Sequence, residues 1–302
     1  MITRPTVLIL GAGASQPYGF PPGRELVFTV ISHLQSGDDS SLRRPLREMG
    51  FTEATMSEFR DELLLSNQPS VDAFLESRPE FIPVGKAAIA VELIARETPD
   101  ALVRRPDMRW YEYLFNQIGT TRDDFLSCPL RIVTFNYDRS LEYALHRTVK
   151  SAFALTDAQA AEIVRSFSVT HVHGTVGPPH FLDINGRPYT NSTAQGNIAL
   201  AVQHIRIVHE LDAKTPEFEI ARSLIGQAQV LAFIGFGYHP TNLKRLRIDS
   251  NYKGRTILGS AYHLAEAEMH RVRASFPRPH SIELGHPVDD CLEFLRNSPV
   301  FL

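Results

Sequence analysis

Apolar residues along this chain gather into short β-branched runs, and longer stretches of helical periodicity separate them. Five runs are clear, at 6–10, 131–135, 168–172, 230–234 and 255–258, and a weaker sixth lies at 281–284. Their apolar character is continuous rather than alternating, which predicts strands buried on both faces, as in a parallel sheet. Helical patterns fill the gaps at 25–34, 84–96, 139–149, 157–167 and 217–227. The alternation of strand and helix predicts an α/β fold, a Rossmann-like three-layer parallel sheet. Two stretches interrupt the rhythm. Residues 36–125 carry helical patterns without a strand, and read as a helical insertion, an inserted subdomain within one catalytic domain spanning 1–302. Residues 177–196 are rich in Pro, Gly, Asn and Thr and read as a loop or small lobe.

Composition narrows the class. Of 302 residues, 43% are hydrophobic, enough for one large core. A formal net charge of −3 exerts no global pull on nucleic acid or anionic membrane, so nucleic acid is expected only as an indirect partner. The two cysteines, Cys128 and Cys291, form no CxxC, which rules out a disulfide scaffold and a four-cysteine zinc module. Unpaired cysteines suit a reducing cytoplasm. No apolar stretch approaches the ~20 residues needed to span a bilayer. Met1-Ile2-Thr3-Arg4-Pro5 leads straight into the first run, so the expectation is a soluble cytoplasmic protein without a signal peptide.

The candidate chemistry lies at the ends of the runs. The first is followed by Gly11-Ala12-Gly13-Ala14-Ser15. A strand, a glycine turn and a helix would present backbone N–H groups to a phosphate, and the glycines would allow pyrophosphate to approach closely. The hydride-transfer fingerprint requires a third glycine where this chain has Gln16, which argues against a conventional dehydrogenase. Next comes Gly19-Phe20-Pro21-Pro22-Gly23-Arg24, either a surface turn or a lid over a ligand.

The second run leads into Thr134-Phe135-Asn136-Tyr137-Asp138. Ligands of open α/β sheets sit at the carboxyl ends of strands, and Asn136 and Asp138 fall there; helix capping would account for one of them. The third run ends Thr170-His171-Val172-His173-Gly174. Two residues apart on a strand, the imidazoles would share a face, but no third metal ligand is in view, so no metal is expected. His173, beside Gly174, is the candidate for acid–base work. His171 is expected to be packed or bonded locally. The fourth run ends Gly235-Phe236-Gly237-Tyr238, a second glycine turn that either admits the far half of a dinucleotide or is a simple strand exit.

Taken in order, these motifs resemble the sirtuin family across residues 6–260. The resemblance implies that Gly11, Ala12, Gly13 and Ser15 hold the phosphates of NAD+. Phe20 and Pro21 would lie in the cofactor-binding loop, with Arg24 as that loop's arginine. Asn136 would sit beside the nicotinamide ribose and Asp138 near the carboxamide, with His173 as the catalytic histidine. Gly235 and Gly237 would border the adenosine half. The chain departs from the deacylating members in lacking the zinc module, in Phe135 where they carry glutamine, and in Gly23 where their loop has an aromatic. Ser70-Val71-Asp72-Ala73-Phe74-Leu75-Glu76 and the Thr-Phe-Asn-Tyr-Asp motif are instead similar to the bacterial sirtuin-like NAD hydrolases of anti-phage defence. That resemblance implies NAD+ as substrate, no metal, a homo-oligomer, and control by a partner sensor or ATPase protein. The alternatives are a protein deacylase or ADP-ribosyltransferase, and a non-catalytic NAD or ADP-ribose sensor.

Overall fold

The computed structural model describes residues 1–37, 41–103, 109–207, 215–248, 252, 254, 256–276 and 281–301. Six strands, β1 (Thr6–Leu10), β2 (Leu130–Thr134), β3 (Val169–His171), β4 (Val230–Ile234), β5 (Thr256–Gly259) and β6 (Ile282–Leu284), form one sheet in the order β3-β2-β1-β4-β5-β6. Every pair is parallel. Each predicted run becomes a strand, with its ends moved by at most one residue; Arg255 lies outside the described residues. All five residues of β1 and of β4 are buried, which is the physical content of their unbroken apolar pattern.

The helices, in chain order, are α1 (Gly23–Gln35), α2 (Arg43–Glu48), α3 (Glu53–Ser66), α4 (Val71–Ser77), α5 (Ile82–Ile94), α6 (Trp110–Ile118), α7 (Arg122–Ser127), α8 (Ser140–Ala152), α9 (Asp157–Ser166), α10 (Gln195–His204), α11 (Pro216–Gln227), α12 (Pro240–Leu246), α13 (Glu266–Ala274) and α14 (Cys291–Asn297). Alternate residues of a strand point to opposite faces, so each strand feeds two layers. Leu8, Leu10, Ile132 and Ala232 pack under α1, α5, α6, α8, α9 and α14. Val7, Ile9, Val133, Leu231 and Phe233 pack against α11, α12 and α13. The architecture is a Rossmann-like three-layer α/β fold. No helix among the described residues is long and apolar enough to cross a membrane.

Within 36–125 the described residues form helices and no strand. They share the core of the sheet: Met56, Phe59, Phe74, Ile89 and Trp110 belong to the same apolar cluster as Leu8 and Leu10. Helix α5 is buried from Val84 to Ile94 and has no polar face, as a helix central to a layer requires. The insertion therefore thickens one layer rather than building a separate core. The 177–196 segment is irregular except for one bridge, between Pro179 and Arg187, and for the start of α10.

Candidate functional site

β1, β2 and β3 are neighbours and end in register, with Leu10 opposite Thr134 and Thr134 opposite His171. The polar residues predicted at the strand ends are gathered along this edge. Two residues past β2, Asn136 donates from Nδ2 to the Gly11 carbonyl at 2.9 Å and to the Ser15 hydroxyl at 3.0 Å. A carbonyl only accepts, so the amide has one orientation. Its backbone N–H donates to Thr134 Oγ1 at 3.1 Å, and its carbonyl accepts from His171 Nδ1 at 2.8 Å. Oδ1 is buried and has no hydrogen-bond partner among the described residues. Leaving a buried acceptor open costs about 1–3 kcal/mol, so an atom held in that state at a strand end marks a place where a ligand's donor fits.

Asp138 is buried, and its Oδ1 accepts from the Ser140 N–H at 3.1 Å and from the Ser140 hydroxyl. Tyr111 reaches the same hydroxyl, with 2.7 Å between the two oxygens. Burial raises the Asp138 carboxyl above its usual range, and hydrogen bonds from Ser140 and Ser15 oppose that rise. Ser15 accepts from Asn136, and its hydroxyl is also one of the groups that hold the Asp138 carboxyl down. Asp138 thus holds the first residue of α8 through a local turn rather than as its N-cap, which is Arg139 without a side-chain cap bond.

The two histidines part company. β3 stops at His171, and Val172 and His173 lie in a turn. Gly174 follows at φ +74°, where any Cβ would fall 1.9 Å from the His204 carbonyl oxygen. The expectation of two imidazoles on one face fails because the strand is too short to carry both. His171 Nδ1 faces the Asn136 carbonyl and Nε2 faces Glu142 at 2.7 Å. Both neighbours accept, so both nitrogens carry protons. Burial alone would lower the pKa of this ring, but the charge and hydrogen bond of Glu142, with the Asn136 carbonyl, raise it. His173 instead packs edge-on against Phe135 at 5.2 Å between centroids and lies near Phe218 and Tyr137. Its Nε2 is buried with no hydrogen-bond partner among the described residues. Burial, then the Arg245 charge, push its pKa down to about 3. His173 is a neutral imidazole at any physiological pH.

The glycine turns differ from the expected strand–turn–helix cradle. After β1 come two 3₁₀ turns, Ala12–Ala14 and Gln16–Tyr18, and α1 starts only at Gly23. The N–H groups of Gly11, Gly13, Ala14 and Ser15 go to the carbonyls of Ile234, Gly235, Gly11 and Ala12. Gly235 sits at φ +56°, and a Cβ there would fall 2.0 Å from the Ala14 nitrogen. Gly13 and Gly235 are therefore small so that the two turns can pack backbone to backbone. Gly237 is exposed, and a Cβ there meets nothing within 4 Å, so it borders open space. Phe20 is buried in the core. Arg24 is exposed on the first turn of α1, its guanidinium 5.9 Å from the Phe28 ring centre. It lines a 220 Å³ groove with α3 residues such as Leu63 and Leu64, away from the hydrogen bonds of Asn136.

Several contacts of this edge join residues far apart in the chain, so no local signal predicts them. Glu142 pairs with His171, and Tyr137 donates to Asp72 of α4. A buried cluster of Glu97, Arg139 and Arg187 sits beside them. Arg139 is bidentate to Glu97 at 2.9 and 2.7 Å and also donates to the carbonyls of Pro178, Arg187 and Pro188. It pins the irregular 177–196 segment to the start of α8. Among the described residues no group of three or more His, Cys, Asp and Glu side chains could hold a metal ion. Compared with known proteins, the chain matches no family model and no curated protein.

Proposed function

We propose that this protein hydrolyses NAD+ at the nicotinamide–ribose bond, releasing nicotinamide and ADP-ribose. The observation that carries the reading is the pair of buried, unpartnered atoms at neighbouring strand ends, Asn136 Oδ1 and His173 Nε2. The order of motifs, which resembles the sirtuin-like NAD hydrolases, supplies the substrate. In this reaction the electron pair of the broken bond goes to the pyridinium nitrogen. Nicotinamide leaves neutral, positive charge develops on the ribose, and a water oxygen closes on the same carbon with loss of a proton. The leaving group needs no acid, which suits a site whose histidine is uncharged at neutral pH. Asn136 Oδ1 accepts a ribose hydroxyl or orients the water, and His173 binds a ribose hydroxyl through Nε2. Asp138 adds negative charge near the developing cation.

The second reading, an NAD or ADP-ribose sensor without turnover, is favoured by one feature: an imidazole with a pKa of about 3 is a weak base. The two separate in one experiment. Purified protein is incubated with NAD+ alone and free nicotinamide is measured, with wild type and Asn136→Ala side by side. Turnover in the wild type that is lost in the variant supports hydrolysis; binding without nicotinamide release sinks it. The proposal further places the enzyme in the cytoplasm as a homo-oligomer restrained by a partner sensor or ATPase protein, since unrestrained NAD+ loss would kill the cell. Light scattering across protein concentrations tests the assembly.

A further inference from the structure

We infer that Asp72, in the helical insertion, is a positioning residue that acts through Tyr137 on both segments of the site. The inference rests on the hydrolase reading for its activity measurements and on geometry for the rest. Tyr137 stands between Asn136 and Asp138. Its hydroxyl meets two acceptors, the Asp72 carboxylate and the Arg206 carbonyl at 3.3 Å. The N–H of the same Arg206 donates to the His173 carbonyl at 2.8 Å. One phenol therefore ties α4 to the Asn136 segment and, through the Arg206 residue, to His173. The Tyr137 carbonyl also accepts from the Val176 N–H at 2.9 Å, which closes the strap behind Gly174.

Asp72 is held where this requires. Ser70 caps α4 by accepting from the Ala73 N–H at 3.1 Å, and Val71, Phe74 and Leu75 anchor the helix in the shared core. Gly23, at the start of α1, lies so close that a Cβ there would be 3.1 Å from that of Ser70. Helix α4 is thus seated between α1 and the catalytic edge, and Asp72 is its side chain bound to the Asn136 segment. Asp72 is half-buried, and on the first turn of α4 its charge also favours the positive end of the helix.

The test uses the full chain and the variants Asp72→Ala, Asp72→Asn, Tyr137→Phe and Asp72→Ala/Tyr137→Phe. Nicotinamide release, thermal melting and hydrogen exchange of peptides covering 134–140, 171–176 and 217–227 are measured for each. Asp72→Ala and Tyr137→Phe should each lower kcat by roughly 10- to 100-fold, the range for losing a hydrogen bond to a charged group. The double variant should be no worse than Tyr137→Phe alone, because one residue acts through the other. Asp72→Asn keeps an acceptor and should recover most of the rate. Exchange should quicken in 134–140 and 171–176 together and stay unchanged in 217–227. Multiplicative losses, or no rescue by asparagine, would show that Asp72 acts independently of Tyr137 and overturn the inference, as would unchanged exchange at the two site segments. If the wild type releases no nicotinamide, the hydrolase reading fails while coupled exchange at both segments still upholds the positioning role.

Discussion

His171 and His173 are separated by one valine and have opposite electrostatic lives. His171 points toward α8, bonds two acceptors and is held protonated by Glu142. His173 lies among Phe135, Tyr137 and Phe218, and its pKa falls to about 3. The first is a strut that fixes the Asn136 carbonyl; the second is an open, neutral group. Residue type and chain position are nearly the same, so the difference comes from what faces each ring. A buried histidine with acceptors on both nitrogens becomes an imidazolium, and one buried among rings beside an arginine charge does not.

The largest effect that would break this contrast is on turnover. His173→Ala and Asn136→Ala should each reduce nicotinamide release by about 10²–10³-fold, the range for removing one group aimed at the transition state. Each variant also loses buried contacts, so melting should fall by a few degrees, too little to account for the loss of turnover. Full activity in His173→Ala would remove the ring from the reaction.

His171→Ala should fail differently. It leaves Glu142 buried without its partner, and breaking a buried pair in this way costs about 3–5 kcal/mol. A melting temperature lower by on the order of 10 °C is expected, and any loss of activity should follow from the loosened Asn136. If His171→Ala melted like wild type but lost turnover as completely as His173→Ala, the two rings would share one role and the contrast would be wrong.

Acidity sharpens the comparison. The folded pKa of His173, about 3, lies below the ~6.5 of an unfolded histidine, so the unfolded chain binds more protons between those values. Its contribution is complete above pH 6.5 and declines as pH falls, by roughly 3 kcal/mol at pH 4. His171, with a raised folded pKa, has the reverse sign: its contribution is complete below pH 6.5 and is lost as pH rises through the folded value. Melting curves across pH should show His173→Gln less acid-sensitive than wild type and His171→Gln less alkali-sensitive. Identical pH profiles for the two variants would contradict the assignment.

The smallest expected effect is none. EDTA should leave melting and nicotinamide release unchanged, because the site rests on an amide and a neutral imidazole. A drop in either would show that the histidines had been misread as non-ligands.

What the sequence determined by itself is what depends on neighbours along the chain. Continuous β-branched runs such as Val7–Leu10 and Val230–Ile234 read as buried strands because burial on both faces needs apolar residues at every position. Asn136, Asp138 and His173 could be placed at strand ends because a strand's end is marked by its own residues. The tertiary structure decided everything that depends on partners distant in the chain. His171 meets Glu142 29 residues upstream, Tyr137 meets Asp72 65 residues away, and the glycine turn after β1 spends its N–H groups on itself and on the turn after β4. No local pattern encodes those meetings. Hydrogen-bond partners and burial arise only when helices and loops close over the sheet, and they alone made one histidine a cation and left the other neutral and open.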